Sequence, residues 1–298
     1  MKKILITLLL IGSVSFAQSA GNSGLAFLKF GFGARNIAMG NAGSSVSNDL
    51  SGLYYNPSRL VSLEENQAMF MHSEWIQDVT SEVGGIKWNM FNLPWAVGFN
   101  VTTVGDIEVR DRPGEAISTF NANYFFMSLS SGFKVIEDLD FGTTVKYIYE
   151  GILNDQSTGY GLDFGLNYFT PVKGLTASTA IRNIGSMNAL NTVGTKLPLD
   201  ISLGGAYNYN LPAAKLEFIV TGELQKYLDA DDFHINAGGE VMYNETFAAR
   251  AGYQTGYEAK GFTAGIGIAW GSLRFDYAYT PFSLGLGNAN QFSLQFSF

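Results

Sequence analysis

The stretch GFTAGIGIAWGSLRFDYAYT, residues 261–280, decides the fold. It divides at Gly271-Ser272 into two runs in which apolar residues alternate with small or polar ones. The apolar faces of the two runs comprise Phe262, Ala264, Ile266, Ile268 and Trp270, then Leu273, Phe275, Tyr277 and Tyr279. A period of two over this length predicts two β-strands joined by a tight turn, each with one apolar face.

The same alternation begins near residue 66 and continues to residue 298, in about fourteen runs. The runs lie near residues 66–76, 82–91, 93–104, 119–131, 139–150, 157–169, 174–184, 197–209, 214–225, 233–243, 246–255, 260–270, 272–281 and 289–298. Connections after the even runs are tight, whereas several after the odd runs are long, such as residues 105–117 and 185–196. An even number of strands with short turns at one end and longer loops at the other is typical of outer-membrane barrels.

The two faces of these strands favour a lipid-facing barrel over a soluble sandwich. One face is rich in glycine and small residues with scattered charges, which suits a crowded lumen. The other carries Phe in the middle and Tyr or Trp near the strand ends, which suits lipid between two aromatic girdles. The whole chain has 35 Gly, 23 Phe and 15 Tyr in 298 residues, with only 15% charged residues. We therefore predict an all-β, 14-stranded antiparallel transmembrane β-barrel over residues 66–298, monomeric and surrounded by outer-membrane lipid.

The first 65 residues do not alternate. Residues 1–17 combine two lysines, a short apolar run and a small-residue cleavage site after Ala17, which predicts a cleaved signal peptide. The apolar run is shorter than the roughly 20 residues that a transmembrane helix needs. Residues 18–65 are dense in Gly, Ser and Asn, and a long irregular segment of this kind needs a role in a compact domain. We expect it to fill the lumen as an N-terminal hatch, or plug, in a barrel exported to the outer membrane of a Gram-negative cell.

Charge and residue types exclude several classes of function. The formal net charge is −8, which argues against a nucleic-acid partner, and the chain has no cysteine for a thiolate site. His72 and His234 are far apart in sequence, and no nucleophile elbow accompanies them. The acidic run at residues 228–232 lacks the spacing of a calcium loop. We expect no catalytic residue, no metal, no cofactor and no enzyme activity.

One N-terminal stretch resembles a known family. GARNIAMGNAGSSVSNDLSGLYYNPSRL, residues 33–60, resembles the signature of the FadL-like outer-membrane barrels, and more closely their PorV/PorQ branch. Residues 247–298 also resemble that branch. In the N-terminal stretch, Ser58-Arg59 stands where family members often have Ala-Gly. The hatch motif that carries the resemblance comprises Arg35, Met39, Gly40, Asp49, Tyr55, Asn56 and Pro57. The Asn-Pro pair also has an ordinary interpretation as a turn.

The resemblance implies a barrel with an N-terminal hatch, and it is compatible with two alternative functions. PorV-type proteins act in type IX secretion, where they receive secreted proteins from the translocon and pass them on for surface attachment. FadL proteins pass hydrophobic molecules through the outer membrane. We predict the first function, with secreted cargo proteins and the type IX translocon as partners of charged external loops such as residues 105–117. The alternative is a transporter of hydrophobic small molecules such as fatty acids or aromatic hydrocarbons.

Charges on the lumen-facing parity predict a polar network that holds the hatch, with a substrate path as the alternative. Its predicted members are Lys146, Asp163, Arg182, Glu240, Arg250, Arg274 and Asp276. The final stretch, QFSLQFSF at residues 291–298, predicts a closing strand that pairs with the first one. Phe296 and Phe298 of this strand resemble the signal that the barrel-insertion machinery reads.

Overall fold

A computed structural model describes residues 24–46, 49–229 and 233–298. The predicted signal peptide at residues 1–17, the first residues of the predicted hatch, and Asp231-Asp232 of the acidic run lie outside the described residues. Within the described ranges, no helix combines the length and the apolar character that crossing a bilayer would require.

Fourteen strands of the described chain form one closed antiparallel barrel. In chain order they are β1 Gln67–Glu74, β2 Val79–Met90, β3 Leu93–Val109, β4 Ser118–Ile136, β5 Leu139–Ile152, β6 Asp155–Phe169, β7 Leu175–Met187, β8 Asp200–Leu211, β9 Leu216–Tyr227, β10 Phe233–Tyr243, β11 Phe247–Gln254, β12 Phe262–Trp270, β13 Leu273–Pro281 and β14 Asn288–Ser297. Each strand pairs with its neighbours in sequence, and β14 closes the barrel on β1 from Gln67↔Ser297 to Glu74↔Asn290. The predicted 14-stranded barrel and its closing strand are confirmed.

The alternation of the sequence corresponds to the two faces of the wall. In β6, Gly161, Asp163 and Gly165 are buried on the inner face, whereas Leu166 and Tyr168 are exposed on the outer face. The same alternation is present in the other strands, so the apolar parity faces outward and the polar parity faces inward, as predicted.

The two ends of the barrel differ in their connections. At the end that contains the C-terminus, which we call the short-turn end, both residues of the Phe91-Asn92 and Asn244-Glu245 turns have positive φ. This is the geometry of the tight hairpin turns whose twist matches that of the strands. The other, long-loop end has connections at residues 110–117, 188–199, 255–261 and 282–287. An exception to the predicted alternation is the β5–β6 connection at this end, which has only residues 153–154.

The described N-terminal segment, residues 24–46 and 49–65, lies against the inner face of the wall. It contains a 3₁₀ turn at Ala26–Lys29, helix α1 at Ala34–Ala38, helix α2 at Gly52–Tyr55 and a 3₁₀ helix at Pro57–Ser62. Elsewhere, a 3₁₀ turn at Pro212–Ala214 joins β8 to β9, and a small hairpin of Ala189–Leu190 with Val193–Gly194 lies between β7 and β8.

Glycines on the inner face permit this close approach. A Cβ atom on Gly252 would collide with the backbone of Met39 and Gly40, and one on Gly142 would collide with the backbone of Pro57. The small-residue parity of the strands is therefore needed where the N-terminal segment touches the wall.

Candidate functional site

A cluster of six charged residues joins the N-terminal segment to one side of the wall. We call Arg35, Asp49, Glu240, Arg250, Arg274 and Asp276 the charged cluster. Helix α1 presents Arg35, which donates two hydrogen bonds to Glu240, with Nε–Oε2 and Nη2–Oε1 distances of 2.9 and 2.7 Å. Glu240 on β10 also accepts a hydrogen bond from Arg250 on β11. Arg250 lies 2.8 Å from a carboxylate oxygen of Asp276 on β13.

The charges of this cluster compensate one another. Three arginines face three carboxylates, and the side chains of Arg35 and Glu240 are both about 98% buried, with 2% exposed. Burial acts to raise the pKa of Asp49, but Arg35 and Arg274 oppose it and hold that pKa below its ordinary value of 3.8. A buried charge that keeps its partners is tolerated, whereas one that loses them is strongly destabilising. The cluster thus favours a fixed position of α1 in the lumen.

The remaining predicted lumen residues form two separate ion pairs. Lys146 lies 2.7 Å from Asp163, and Arg182 lies 2.7 Å from Asp200. The register shifts between β6 and β7 at Asp163, which accepts a hydrogen bond from the backbone N–H of Asn183 at 2.8 Å. Arg182 also donates to the backbone carbonyl oxygen of Tyr54 at 3.2 Å and so contacts the N-terminal segment. The structure therefore brings four of the seven predicted residues into the charged cluster and leaves Lys146, Asp163 and Arg182 outside it.

Two parts of the hatch motif attach the segment to other strands. The backbone N–H of Gly40 donates to Thr263 Oγ1 on β12 at 3.1 Å, directly after the fully buried Met39. Asn56 donates through Nδ2 to the Leu166 carbonyl oxygen on β6 at 3.0 Å, and its Oδ1 accepts from the backbone N–H of Ser58 at 3.1 Å. The second bond caps the 3₁₀ helix that Pro57 begins, so the Asn-Pro pair forms a turn and contacts the wall at once.

Tyr55, the last residue of α2, ties the segment to itself. Its hydroxyl accepts a hydrogen bond from the backbone N–H of Phe32 at 3.0 Å and donates to Asn41 Oδ1 at 2.9 Å. The residues on either side of α1 are thus attached to α2 inside the barrel.

An aromatic core occupies the side of the lumen near β4. We use this name for Phe27, Phe32, Tyr54, Tyr124 and Phe126, whose rings contact one another. Phe32 stacks on Tyr54 at 4.2 Å between centroids, Phe27 stacks on Tyr124 at 5.4 Å, and Phe126 lies 6.0 Å from both Phe27 and Phe32. Sequence reasoning missed this core. The available signal was the run Tyr124-Phe125-Phe126, where aromatic residues break the alternation and one parity must face inward.

A second aromatic group lies at the long-loop end. We call Phe30, Trp75 and Phe282 the mouth cluster. Phe30 stacks on Trp75 at 4.8 Å, and Trp75 meets Phe282 edge-on at 5.2 Å. All three side chains are partly exposed, and Leu284 in the same loop is 75% exposed. The mouth cluster therefore presents apolar side chains at the long-loop end of the barrel.

Cavities lie at the short-turn end, and one of them borders the N-terminal segment. One of about 270 Å³ is lined by Val46, Phe169 and Ile219 together with Arg59 and Thr176. Burial lowers the pKa of Arg59 to about 10. A second cavity of about 490 Å³ lies near the β8–β9 and β10–β11 turns. These spaces leave room at this end of the barrel.

The two histidines occupy different faces of the barrel. His72 lies on the outer face, with Nδ1 2.6 Å from Glu82 and Nε2 3.7 Å from Glu74. His234 is buried and stacks on Tyr257 with 4.1 Å between the ring centroids. The ring of His72 therefore contacts two carboxylates on the outer face, whereas the ring of His234 packs on Tyr257 and has Nδ1 3.1 Å from the Thr255 carbonyl oxygen.

Comparisons with known proteins identify the fold. No protein-family model matches the chain, and no curated protein matches it. Among solved structures, the toluene transporter TodX of Pseudomonas putida has a TM-score of 0.65 and 12% identity, covering 90% of this chain and 98% of that chain. The CymD monoaromatic hydrocarbon channel has a TM-score of 0.63 and 13% identity over 90% and 98% of the two chains. A FadL homologue of Pseudomonas aeruginosa has a TM-score of 0.56 and 14% identity over 90% and 99%.

These similarities contradict one prediction and support another. The predicted role as a type IX secretion component that binds secreted cargo is wrong, because the similar structures are those of hydrocarbon channels and a FadL homologue. They agree better with the alternative that we kept from the sequence, a transporter of hydrophobic small molecules. At this level of identity the similarity concerns the fold, and the chain has the fold of the FadL-like outer-membrane barrels.

Proposed function

We propose that this protein is an outer-membrane channel for hydrophobic small molecules, such as monoaromatic hydrocarbons or fatty acids. The observation that carries the proposal is that two groups of aromatic side chains follow one another in space along one side of the barrel. The partly exposed mouth cluster is followed by the buried aromatic core, because Phe27 lies in the 3₁₀ turn Ala26–Lys29 and Phe30 directly follows it. Binding sites for apolar ligands are lined in this way, with few polar groups.

The described N-terminal segment acts in this proposal as the plug of the channel. It is attached to the wall by the charged cluster on one side and packs through the aromatic core on the other. An apolar ligand that moves along the aromatic side stays away from the charged cluster, whose buried side chains need polar partners that such a ligand cannot supply. The cavities at the short-turn end provide space beyond the plug.

Three further points belong to the proposal. The exposed apolar belt on the outer face of the strands supports a position in the outer membrane, where Phe296 and Phe298 would serve the barrel-insertion machinery. We propose that the protein is not an enzyme, since both histidines are engaged in other contacts. Membership of the PorV/PorQ branch stays a prediction from the sequence motif and implies no secretion role here.

Uptake by whole cells tests this function. Gram-negative cells that express the protein should accumulate radiolabelled toluene or oleate faster than cells without it. Phe282→Ala removes one aromatic side chain of the mouth cluster and should slow this uptake. Phe91→Ala is the matched control, because Phe91 is 82% exposed in the turn between β2 and β3 at the short-turn end and its loss should leave uptake unchanged. Equal uptake of both probes by cells with and without the protein would exclude the proposed function.

A further inference from the structure

We propose that residues 255–261, between β11 and β12, form a lid over the long-loop mouth that is latched by a closed ring of aromatic and cationic side chains. Backbone hydrogen bonds attach this lid to the neighbouring strands and to the loop after β13. The backbone N–H of Gln254 donates to the Gly261 carbonyl oxygen at 2.8 Å, and that of Ser283 donates to the Ala259 carbonyl oxygen at 2.7 Å. Thr255 is also bound through its backbone N–H to the Ile235 carbonyl oxygen at 2.9 Å, and Lys260 forms a β-bridge with Phe282. Beyond these backbone bonds, the side chains of Tyr257 and Lys260 attach the lid to its surroundings.

One half of the ring joins the lid to the wall and then to the N-terminal segment. Tyr257 of the lid stacks on His234 of β10, with 4.1 Å between centroids and planes 13° apart. His234 meets Tyr227, the last residue of β9, edge-on at 5.6 Å. Lys29 places its ammonium group 4.8 Å from the centroid of Tyr227. The contacts thus run from the lid through two strands to the segment inside the barrel.

The other half of the ring runs from the N-terminal segment back to the lid. Phe30, which follows Lys29, stacks on Trp75 at 4.8 Å. Lys260 of the lid lies with its ammonium group 5.7 Å from the Trp75 centroid and 4.0 Å from that of Tyr257. The ring is therefore closed, and Lys260 and Tyr257 are the two lid residues in it. Such contacts are individually weak, so the latch can open without disturbing the strand ladders.

The ring closes the space beneath it. The pocket between the lid and the segment is walled by Phe32, Tyr55, Arg182 and Tyr227 and has a volume of about 30 Å³. This is room for about one water molecule. A ligand that passes from the mouth cluster to the aromatic core needs more space, so the lid must move before entry. This consequence rests on the proposed function, whereas the latch itself rests on the ring contacts.

Cysteine labelling tests the lid without measuring transport. The chain has no cysteine, so a single cysteine can be placed without background. Gln225→Cys reports from under the lid, since Gln225 lines the enclosed pocket and is 7% exposed. Leu284→Cys is the control outside it, at 75% exposure. Cells that carry each variant are treated with fluorescein maleimide, which does not cross the outer membrane readily, and the labelling rates are compared.

With the native lid, the cysteine at position 225 should react much more slowly than the one at position 284. Adding Lys260→Ala removes two ring contacts and should raise its rate about fivefold or more. Lys260→Arg keeps a cation over Tyr257 and should restore the slow rate, which a misfolded barrel would not do. Equal rates at both positions with the native lid, or no change with Lys260→Ala, would overturn the lid. Neither result depends on toluene uptake, so the labelling experiment tests the lid separately from the proposed channel function.

Discussion

Glu240 is the residue on which the charged cluster depends most. It accepts hydrogen bonds from Arg35 of the N-terminal segment and from Arg250 of the wall, and it is 3% exposed. Because its two partners are themselves buried, neutralising this one carboxylate leaves Arg35 without its main counter-charge and Arg250 with Asp276 as its remaining close carboxylate. The attachment of the N-terminal segment should therefore be more sensitive to this position than to any exposed carboxylate.

Glu240→Gln should lower the free energy of unfolding by about 3–5 kcal/mol, since it breaks a buried ion-pair network on one side only. The matched control is Glu245→Gln, in the exposed turn after the same strand, which should change stability by less than about 0.5 kcal/mol. Urea unfolding of the protein in lipid vesicles measures both. The cluster would have no anchoring role if the two substitutions were equivalent.

For single residues, the sequence predicts the face of the wall on which a side chain lies, but not the residue with which it pairs. The period of two assigns Glu240, Arg250 and Asp276 to the inner face wherever strands form. That Glu240 and Arg250 lie directly opposite each other depends on the register of β10 and β11, which turn geometry and packing set. The third partner, Arg35, comes from an irregular segment whose path no periodicity describes.

The long strands are specified by the alternation of their own sequence, whereas the short helices depend on contacts with the wall. β4 has 19 residues and β5 has 14, and alternation over such lengths is a strong signal. Helices α1 and α2 have five and four residues, too few to be stable alone, so contacts with the wall must hold them. The strand part of β3 after residue 104 was missed because a register shift near Asp106 interrupts the alternation.

Gly252→Leu should displace the N-terminal segment from the wall while the barrel still closes. A side chain at this position would collide with the backbone of Met39 and Gly40, which cannot move without shifting α1. Trypsin should then cleave after Arg35, which is 2% exposed in the native protein. Ala251→Leu, on the outward-facing neighbour, is the control and should leave Arg35 protected. Protection of Arg35 in both variants would mean that the close approach is not required.

The whole molecule is inverted relative to a soluble protein, with apolar side chains on its outer surface and charges inside. Its function was mispredicted because a motif shared within a fold does not determine which molecule is bound. The charged loop at residues 105–117 suggested a protein partner, whereas the mouth cluster comes from three segments that are far apart in sequence. Only the folded chain brings Phe30, Trp75 and Phe282 together.

The last prediction concerns the barrel as a whole, because the cost of a charged residue on the outer surface depends on its depth in the bilayer. Val145 lies at the middle of β5 and is 52% exposed, whereas Tyr168 lies near the short-turn end of β6 and is 40% exposed. An arginine costs about 2–4 kcal/mol at the bilayer midplane and about 0–1 kcal/mol near an interface. Val145→Arg should therefore destabilise the barrel much more than Tyr168→Arg when both unfold from lipid vesicles. If the two substitutions cost the same, the belt between the aromatic ends is not the surface that meets the hydrocarbon core, and the outer-membrane position fails with it.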